Sequence, residues 1–184
     1  MQKIISLFQR NYDSDRLVRN EVTPGAEWVL AGEGVATRKW DGIPCKIEQG
    51  KLFKRYDAKK GKVPPAGFIA AQNPDPVTGH WPGWVECKVD NPEDRWYWEA
   101  FGNAEDELAD GTYELCGPAI NKNREQLDRH ELIRHGIEKT YFPRGVSFEG
   151  IKEVLQHLDY EGFVWHHPDG RMVKIKAKDF GIKR

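Results

Sequence analysis

The sequence predicts an α+β fold, with mainly antiparallel sheets and flanking helices. Three observations predict it. Ile43, Cys45 and Ile47 alternate with Pro44, Lys46 and Glu48, the period of a half-buried strand, and the turn Gln49-Gly50 sends the chain back through 51–56 as its hairpin partner. Phe148, Ile151, Val154, Leu155 and Leu158 follow one another at helical spacing. Residues 162–166 and 172–177 flank Pro168-Asp169-Gly170 as a second hairpin. Hairpins in separate stretches, with a helix between them, give antiparallel sheets and helices set apart from them.

The elements follow in chain order. Residues 1–27 show no clear period, and Thr23-Pro24-Gly25 punctuates them as a turn. The ordered pattern begins at Trp28-Val29-Leu30. Val35, Ala36 and Thr37, small or β-branched, lead as a strand into Lys39. After the first hairpin, 57–66 is a basic loop ending in Pro64-Pro65, 68–70 is a short strand and 73–82 is a proline-rich loop. Residues 84–89 alternate as a strand. Trp96, Tyr97, Trp98 and Phe101 fit a helix and a strand alike. Residues 111–117 form a compact strand through T-Y-E-L-C. Ser147 is placed to cap the helix that follows, and Phe148 belongs to that helix's core face.

A chain of 184 residues is long enough to bury a core and is expected to form a single domain over 1–184. Charged residues at 31% make a solvated surface, while seven Trp exclude disorder. No apolar run reaches the ~20 residues of a membrane span, and the apolar stretch near the N-terminus is too short for a secretory signal. The expectation is a cytoplasmic protein without a membrane partner. Cys45, Cys87 and Cys116 form no C-x-x-C pair and lie in apolar strand-like stretches, so they read as buried thiols. A net charge of −1 gives no overall pull on nucleic acid, but the charge is segregated. Lys51, Lys54, Arg55, Lys59, Lys60 and Lys62 face only Asp57 in their stretch. The tail from Arg171 to Arg184 is basic as well, and Glu105, Asp106, Glu107 and Asp110 gather elsewhere. Such a pattern suits a phosphate-binding side opposite an acidic back.

Lys39-Trp40-Asp41-Gly42 is the stretch with chemistry in it. A strand ends in a lysine, an aspartate stands two residues on, and Gly42 marks a place where the backbone passes close to something. The string K-x-D-G resembles the nucleotide-accepting motif of covalent nucleotidyltransferases. Four more segments fall in the order that superfamily requires: Arg55 in K-R-Y-D, Glu114 in Y-E-L-C-G-P, Glu161 opening E-G-F-V-W-H, and Lys174 with Lys176 in V-K-I-K. In an extended strand Lys174 and Lys176 share a face. Together with G-H-W-P-G-W and L-I-R-H-G, these stretches are similar to the ATP-dependent RNA ligases, in particular the stand-alone 5′-to-3′ family with a vertebrate member. They span 36–176. Two departures are visible: Arg38 stands before the lysine where family members can carry glutamate, and little chain follows Lys176.

The resemblance implies a ligase-type nucleotidyltransferase (adenylyltransferase) domain. Many relatives carry a further domain after the last lysine motif, but only eight residues follow Lys176 here, so no C-terminal OB-like domain is expected. The resemblance also implies that Lys39 attacks the α-phosphorus of ATP to form a lysyl–AMP, with Asp41 orienting Lys39 or the waters of a metal. Arg55 would bind phosphate or the ribose edge, Glu114 the ribose hydroxyls, and Lys174 and Lys176 the α-phosphate and departing pyrophosphate. Glu161 would hold Mg²⁺ (or Mn²⁺), directly or through water. The partner implied is RNA with 5′-phosphate and 3′-hydroxyl ends, recruited by the chain's own basic segments or by a protein partner. The rival readings are a nucleotidyltransferase with another acceptor (a cap, a protein or a small molecule) and a nucleic-acid-binding relative that has lost turnover.

The residue types suit the chemistry. A free lysine with a pKa near ~10.4 is only ~0.04% neutral at pH 7. Neighbouring cations favour the neutral form, and the same cations stabilise negative charge building at phosphorus. Other motifs read more plainly. His130 and His135 stand five apart, not the four of H-E-x-x-H. His166 and His167 would face opposite ways on a strand. Trp81 and Trp84 read as packing residues, and His135 as either a pocket or a structural histidine.

Overall fold

The computed structural model describes residues 3–142 and 145–183. Arg184, which the sequence places in the basic tail, lies outside them. In chain order the strands are β1 (Ile5–Ser6), β2 (Phe8–Arg10), β3 (Val18–Val22), β4 (Val35–Lys39), β5 (Ile43–Glu48), β6 (Lys51–Ala58), β7 (Ile69–Ala70), β8 (Trp81–Glu86), β9 (Gly111–Cys116), β10 (Glu131–Arg134), β11 (Gly162–His166) and β12 (Met172–Lys176). The helices are α1 (Glu27–Leu30), α2 (Arg95–Gly102) and α3 (Phe148–Gln156). The fold is α+β with mostly antiparallel sheets. Among the described residues no helix is long and apolar enough to cross a membrane.

The chain divides into two compact units, crossing from one to the other between Trp40 and Asp41 and again between His135 and Gly136. The unit built on Ile4–Trp40 and the chain from Gly136 onward carries a four-stranded sheet in the order β1-β12-β11-β4. β1 runs parallel to β12, and the other pairs are antiparallel. Alternation sorts β12: Val173 and Ile175 are fully buried, and Lys174 and Lys176 take the other face. The helix α3 starts where Ser147 Oγ accepts the Gly150 amide at 3.2 Å, as its sequence predicts, and buries Ile151 and Leu155. Phe148 sits between Phe8 and Phe180, each ring 4.9 Å away, packed against the core as its place on the helix predicts. The segment without a readable period yields β1, β2 and β3 because its strands are short and its partners distant.

The other unit, Asp41–His135 with Lys3, holds a six-stranded antiparallel sheet in the order β10-β9-β5-β6-β8-β7. One face packs on α2 through Cys45, Ile47, Tyr97, Ala100, Tyr113 and Leu115. All three cysteines are buried. The aromatic run that fitted both structures is helical: Asn91 Oδ1 accepts the Glu93 amide just ahead of it, and Tyr97 and Ala100 turn inward one helical step apart. Burial pushes the Tyr97 phenol well above its usual value, so it stays neutral.

The expected strand over 84–89 is found with its register moved toward the N-terminus: β8 is Trp81–Glu86, starting inside the expected proline-rich loop and ending three residues early. Pairing decides this, since β8 runs from Phe53↔Glu86 to Ala58↔Trp81 along a β6 that is itself longer than its alternation suggests. Gly83 permits it. A Cβ there would lie 2.3 Å from the ring of Phe68, which packs edge-on against Trp81 at 5.1 Å. Trp81 donates its indole N–H to the Gln72 carbonyl at 2.8 Å and Trp84 is 2% exposed, so both tryptophans pack as expected. The strand β10 has no alternation of its own strong enough to announce it and forms on the edge of β9.

Candidate active site

Lys39 is the last residue of β4 and pairs with Gly162 of β11, which pairs in turn with Lys176 of β12. Three strands thus place Lys39, Gly162 and Lys176 in one row, with Glu161 entering it from the preceding position. Gly162 is required there: a Cβ would lie 2.1 Å from the Ile175 carbonyl oxygen. Glu161 is shared between the lysines. Its Oε2 accepts Lys39 Nζ at 2.5 Å, and its Oε1 lies 3.4 Å from Lys176 Nζ. Lys39 Nζ also donates to the Trp40 carbonyl at 3.3 Å. The side chains of Lys39, Lys176 and Glu161 are 16–25% exposed, so the cluster is sheltered but open to a ligand.

Lys174 lies beside it on the same face. Burial, and then the charges of Lys39 and Lys176, bring its pKa down to about 8, with Asp179 and Glu161 pulling the other way. Three cations are therefore gathered on one face, two of them sharing the Glu161 carboxylate, an arrangement suited to a polyanion and costly without one. The sign of the cost is testable. Below pH 8 Lys174 is charged in both folded and unfolded chains, and the folded state carries the burial penalty. From about pH 8 to the unfolded value the unfolded chain binds more protons, so stability rises with pH. Lys174→Met is expected to stabilise the protein at pH 7 by on the order of 1–3 kcal/mol, and to lose that gain as pH rises above about 8. Urea titrations at several pH values check it. Arg38, where the sequence departs from its resemblance, stacks over Trp40 at 3.7 Å and faces Glu138 at 3.6 Å.

The second cluster belongs to the Asp41–His135 unit. Gly42 passes so close to β9 that a Cβ would lie 2.3 Å from the Leu115 carbonyl, which is the close approach its position in the motif predicts. Its amide donates to Glu114 Oε1 at 3.2 Å. The other oxygen of Glu114 meets His135 Nε2 at 2.8 Å, while His135 Nδ1 meets Thr112 Oγ1 at 3.0 Å. With Nε2 protonated, the imidazole donates to the carboxylate and accepts from the threonine. Glu114 is buried, so this bracing fixes its orientation. Asp41 accepts from Asn121 at 2.9 Å and faces Arg124 at 3.1 Å, and its amide donates to Glu125 Oε1 at 2.9 Å. These contacts hold its carboxylate by a loop that sequence reasoning left without a role. Asn121, Lys122 and Asn123 all have positive φ (45°, 62° and 51°), a conformation asparagine tolerates better than most residues. The signal that could have found the loop is the doubled asparagine after the strand that bears Glu114.

The structure thus gathers Lys39, Glu161, Lys174 and Lys176 in one unit, and Asp41, Arg55 and Glu114 in the other. K-x-D-G itself spans the crossing, with Lys39 on one side and Asp41 on the other. His130 is a structural residue: it is buried, pairs with Glu99 at 2.8 Å and receives the Ala119 amide at 3.2 Å. His166 meets Thr37 Oγ1 at 3.1 Å and His167 meets Glu33 at 3.1 Å, separate surroundings in keeping with opposite strand faces.

No family model matches the chain. Among characterised proteins it is similar to RNA ligase 1 of Danio rerio, with 30% identity over an alignment 206 positions long. The alignment covers 83% of this chain and 62% of that protein, so the chain spans less than two thirds of the relative's length. Over most of its own length, then, the sequence is similar to that of an RNA ligase.

Proposed function

We propose that this chain is an ATP-dependent RNA ligase that works through a lysyl–AMP at Lys39. The observation that carries the proposal is the shared carboxylate: Glu161 holds Lys39 and Lys176 in one row, with Lys174 beside them. In the first step the lone pair of Lys39 Nζ attacks the α-phosphorus of ATP. The N–P bond forms, the bond to the bridging oxygen breaks, pyrophosphate leaves with the electron pair, and the nitrogen releases its protons to solvent. Lys174 and Lys176 neutralise the α-phosphate and the leaving group. In the second step the 5′-phosphate of RNA takes the AMP and frees Lys39. In the third, the 3′-hydroxyl attacks that phosphate and AMP leaves.

Glu114, braced by His135 and Gly42, is set to accept the ribose hydroxyls. A divalent ion suits the donor set in one form only. Glu161 supplies a single carboxylate, and among the described residues no group of three His, Cys, Asp or Glu is placed to hold a metal. That fits Mg²⁺ held mainly by water and substrate phosphates. Such an ion would neutralise phosphate charge, and Glu161 is the residue to hold it.

Incubation with α-labelled ATP and Mg²⁺, followed by a denaturing gel, is expected to label the protein far more strongly than α-labelled GTP. Purified enzyme–AMP is then offered 5′-phosphorylated RNA, single-stranded or nicked, and the DNA counterparts. Lys59, Lys60 and Lys62 are exposed in the basic loop, and Lys178 and Lys183 in the tail. Phosphate contacts of this type weaken with salt. Joining is therefore expected to be much more salt-sensitive than labelling, and neutralising Lys59, Lys60 and Lys62 together to slow joining while sparing the label. Strong labelling with no adenylylated RNA and no joined product at low salt would replace RNA with another acceptor.

A further inference from the structure

Strand register in the six-stranded sheet places Lys46, which the roles above leave unused, beside Arg55, for which the resemblance implies phosphate or the ribose edge. Cys45 pairs with Lys54 and Tyr113, and both Cys45 and Lys54 belong to the side that faces α2 and Asp94. Their neighbours take the other face. There, Trp84, Arg55, Pro44 and Glu114 form one row across four strands, and Glu86, Phe53, Lys46 and Thr112 form the next. Trp84 is 2% exposed and forms the floor. Both cations lie over its indole: Arg55 with its guanidinium carbon 5.3 Å from the ring centroid, and Lys46 with its ammonium 5.8 Å away and 4.8 Å from the ring of Phe53.

We propose that Lys46 and Arg55, seated together over Trp84, form a seat for one phosphoryl group of a nucleotide or of an RNA 5′ end. The inference rests on the nucleotide and RNA chemistry proposed above. Two cations over one buried ring repel each other, and an anion bound between them turns that repulsion into attraction. Their side chains are only 13% and 14% exposed, so their places are fixed in advance. The carboxylates beside them, Glu48 at 2.9 Å from Lys46 and Asp57 at 3.5 Å from Arg55, are half exposed and screened by water. Arg55 brings a planar fork and Lys46 a point charge, a pairing suited to phosphate. Two strand spacings, about 10 Å, separate the Arg55 strand from that of Glu114. A nucleotide with its ribose at Glu114 reaches across that gap with its phosphates.

The test is equilibrium binding to the whole chain, for wild type, Lys46→Gln, Lys46→Met and Lys46→Arg. One series compares adenosine, AMP and ATP, and the other compares RNA bearing a 5′-phosphate with RNA bearing a 5′-hydroxyl. Wild type is expected to prefer the phosphorylated ligand. Lys46→Gln and Lys46→Met are expected to lose about 10-fold or more of that preference, and Lys46→Arg to keep most of it. The series in which the loss appears identifies the source of the phosphate. Glutamine and methionine keep the stem that lies on the rings, and melting curves confirm that each variant is folded. A phosphate preference unchanged in both series, in either variant that folds, overturns the seat. Wild-type protein that binds phosphorylated ligands but takes no covalent label would sink the ligase reading and leave the seat standing.

Discussion

Lys39→Ala is expected to leave no covalent label from α-labelled ATP, a loss of at least ~10⁴-fold. The nucleophilic nitrogen is removed. Lys174 and Lys176 are rooted on β12, where the main-chain ladder holds their stems, and Lys39 alone ends β4 in the row with Glu161. Lys39→Arg is expected to fail as completely. Arginine can still face Glu161 and keeps the charge, but it stays protonated and has no free lone pair. The two variants together separate charge from nucleophilicity. Label persisting in either would move the nucleophile elsewhere and remove Lys39 from its proposed role.

Glu161→Gln is expected to have the next largest effect. Glutamine keeps the shape and removes the charge that Lys39 and Lys176 share at 2.5 and 3.4 Å. Labelling is expected to fall by ~10²-fold or more, because Lys39 loses its positioning partner and a divalent ion loses its carboxylate. Stability is expected to fall by about 1–3 kcal/mol at pH 7, less than for a fully buried pair because these side chains keep some exposure to water. Initial rates over a range of Mg²⁺ concentrations separate the two roles. Partial recovery at high Mg²⁺ supports a metal-holding carboxylate, and a defect indifferent to Mg²⁺ leaves Glu161 with positioning alone. A labelling rate equal to that of wild type would take Glu161 out of the site altogether.

The sequence was most legible where local period and burial agree. On β12 the alternation of Val173 and Ile175 with Lys174 and Lys176 predicts both the strand and its two faces, and both are found. Ser147 predicts the start of α3 because a cap is a contact within one turn. The same reasoning missed the start of β8, where Trp81 and Pro82 read as loop. Pairing with β6 and the approach of Phe68 to Gly83 outweigh the local preference there.

By itself the sequence determined the α+β class, the strand faces, and the order of Lys39, Arg55, Glu114, Glu161, Lys174 and Lys176 along the chain. It marked Gly42 as a place of close approach, which the Leu115 carbonyl explains. Only the tertiary structure decided which of these side chains meet. Glu161 is 122 residues from Lys39, and β11 brings it to the end of β4. His135 reaches Glu114 because β10 lies along β9, and Lys46 reaches the ring that carries Arg55 because β5 and β8 flank β6. Period records which way a side chain faces, since that depends on neighbours two or four residues away. It cannot record which strand lies alongside, since that depends on register between segments far apart in the chain.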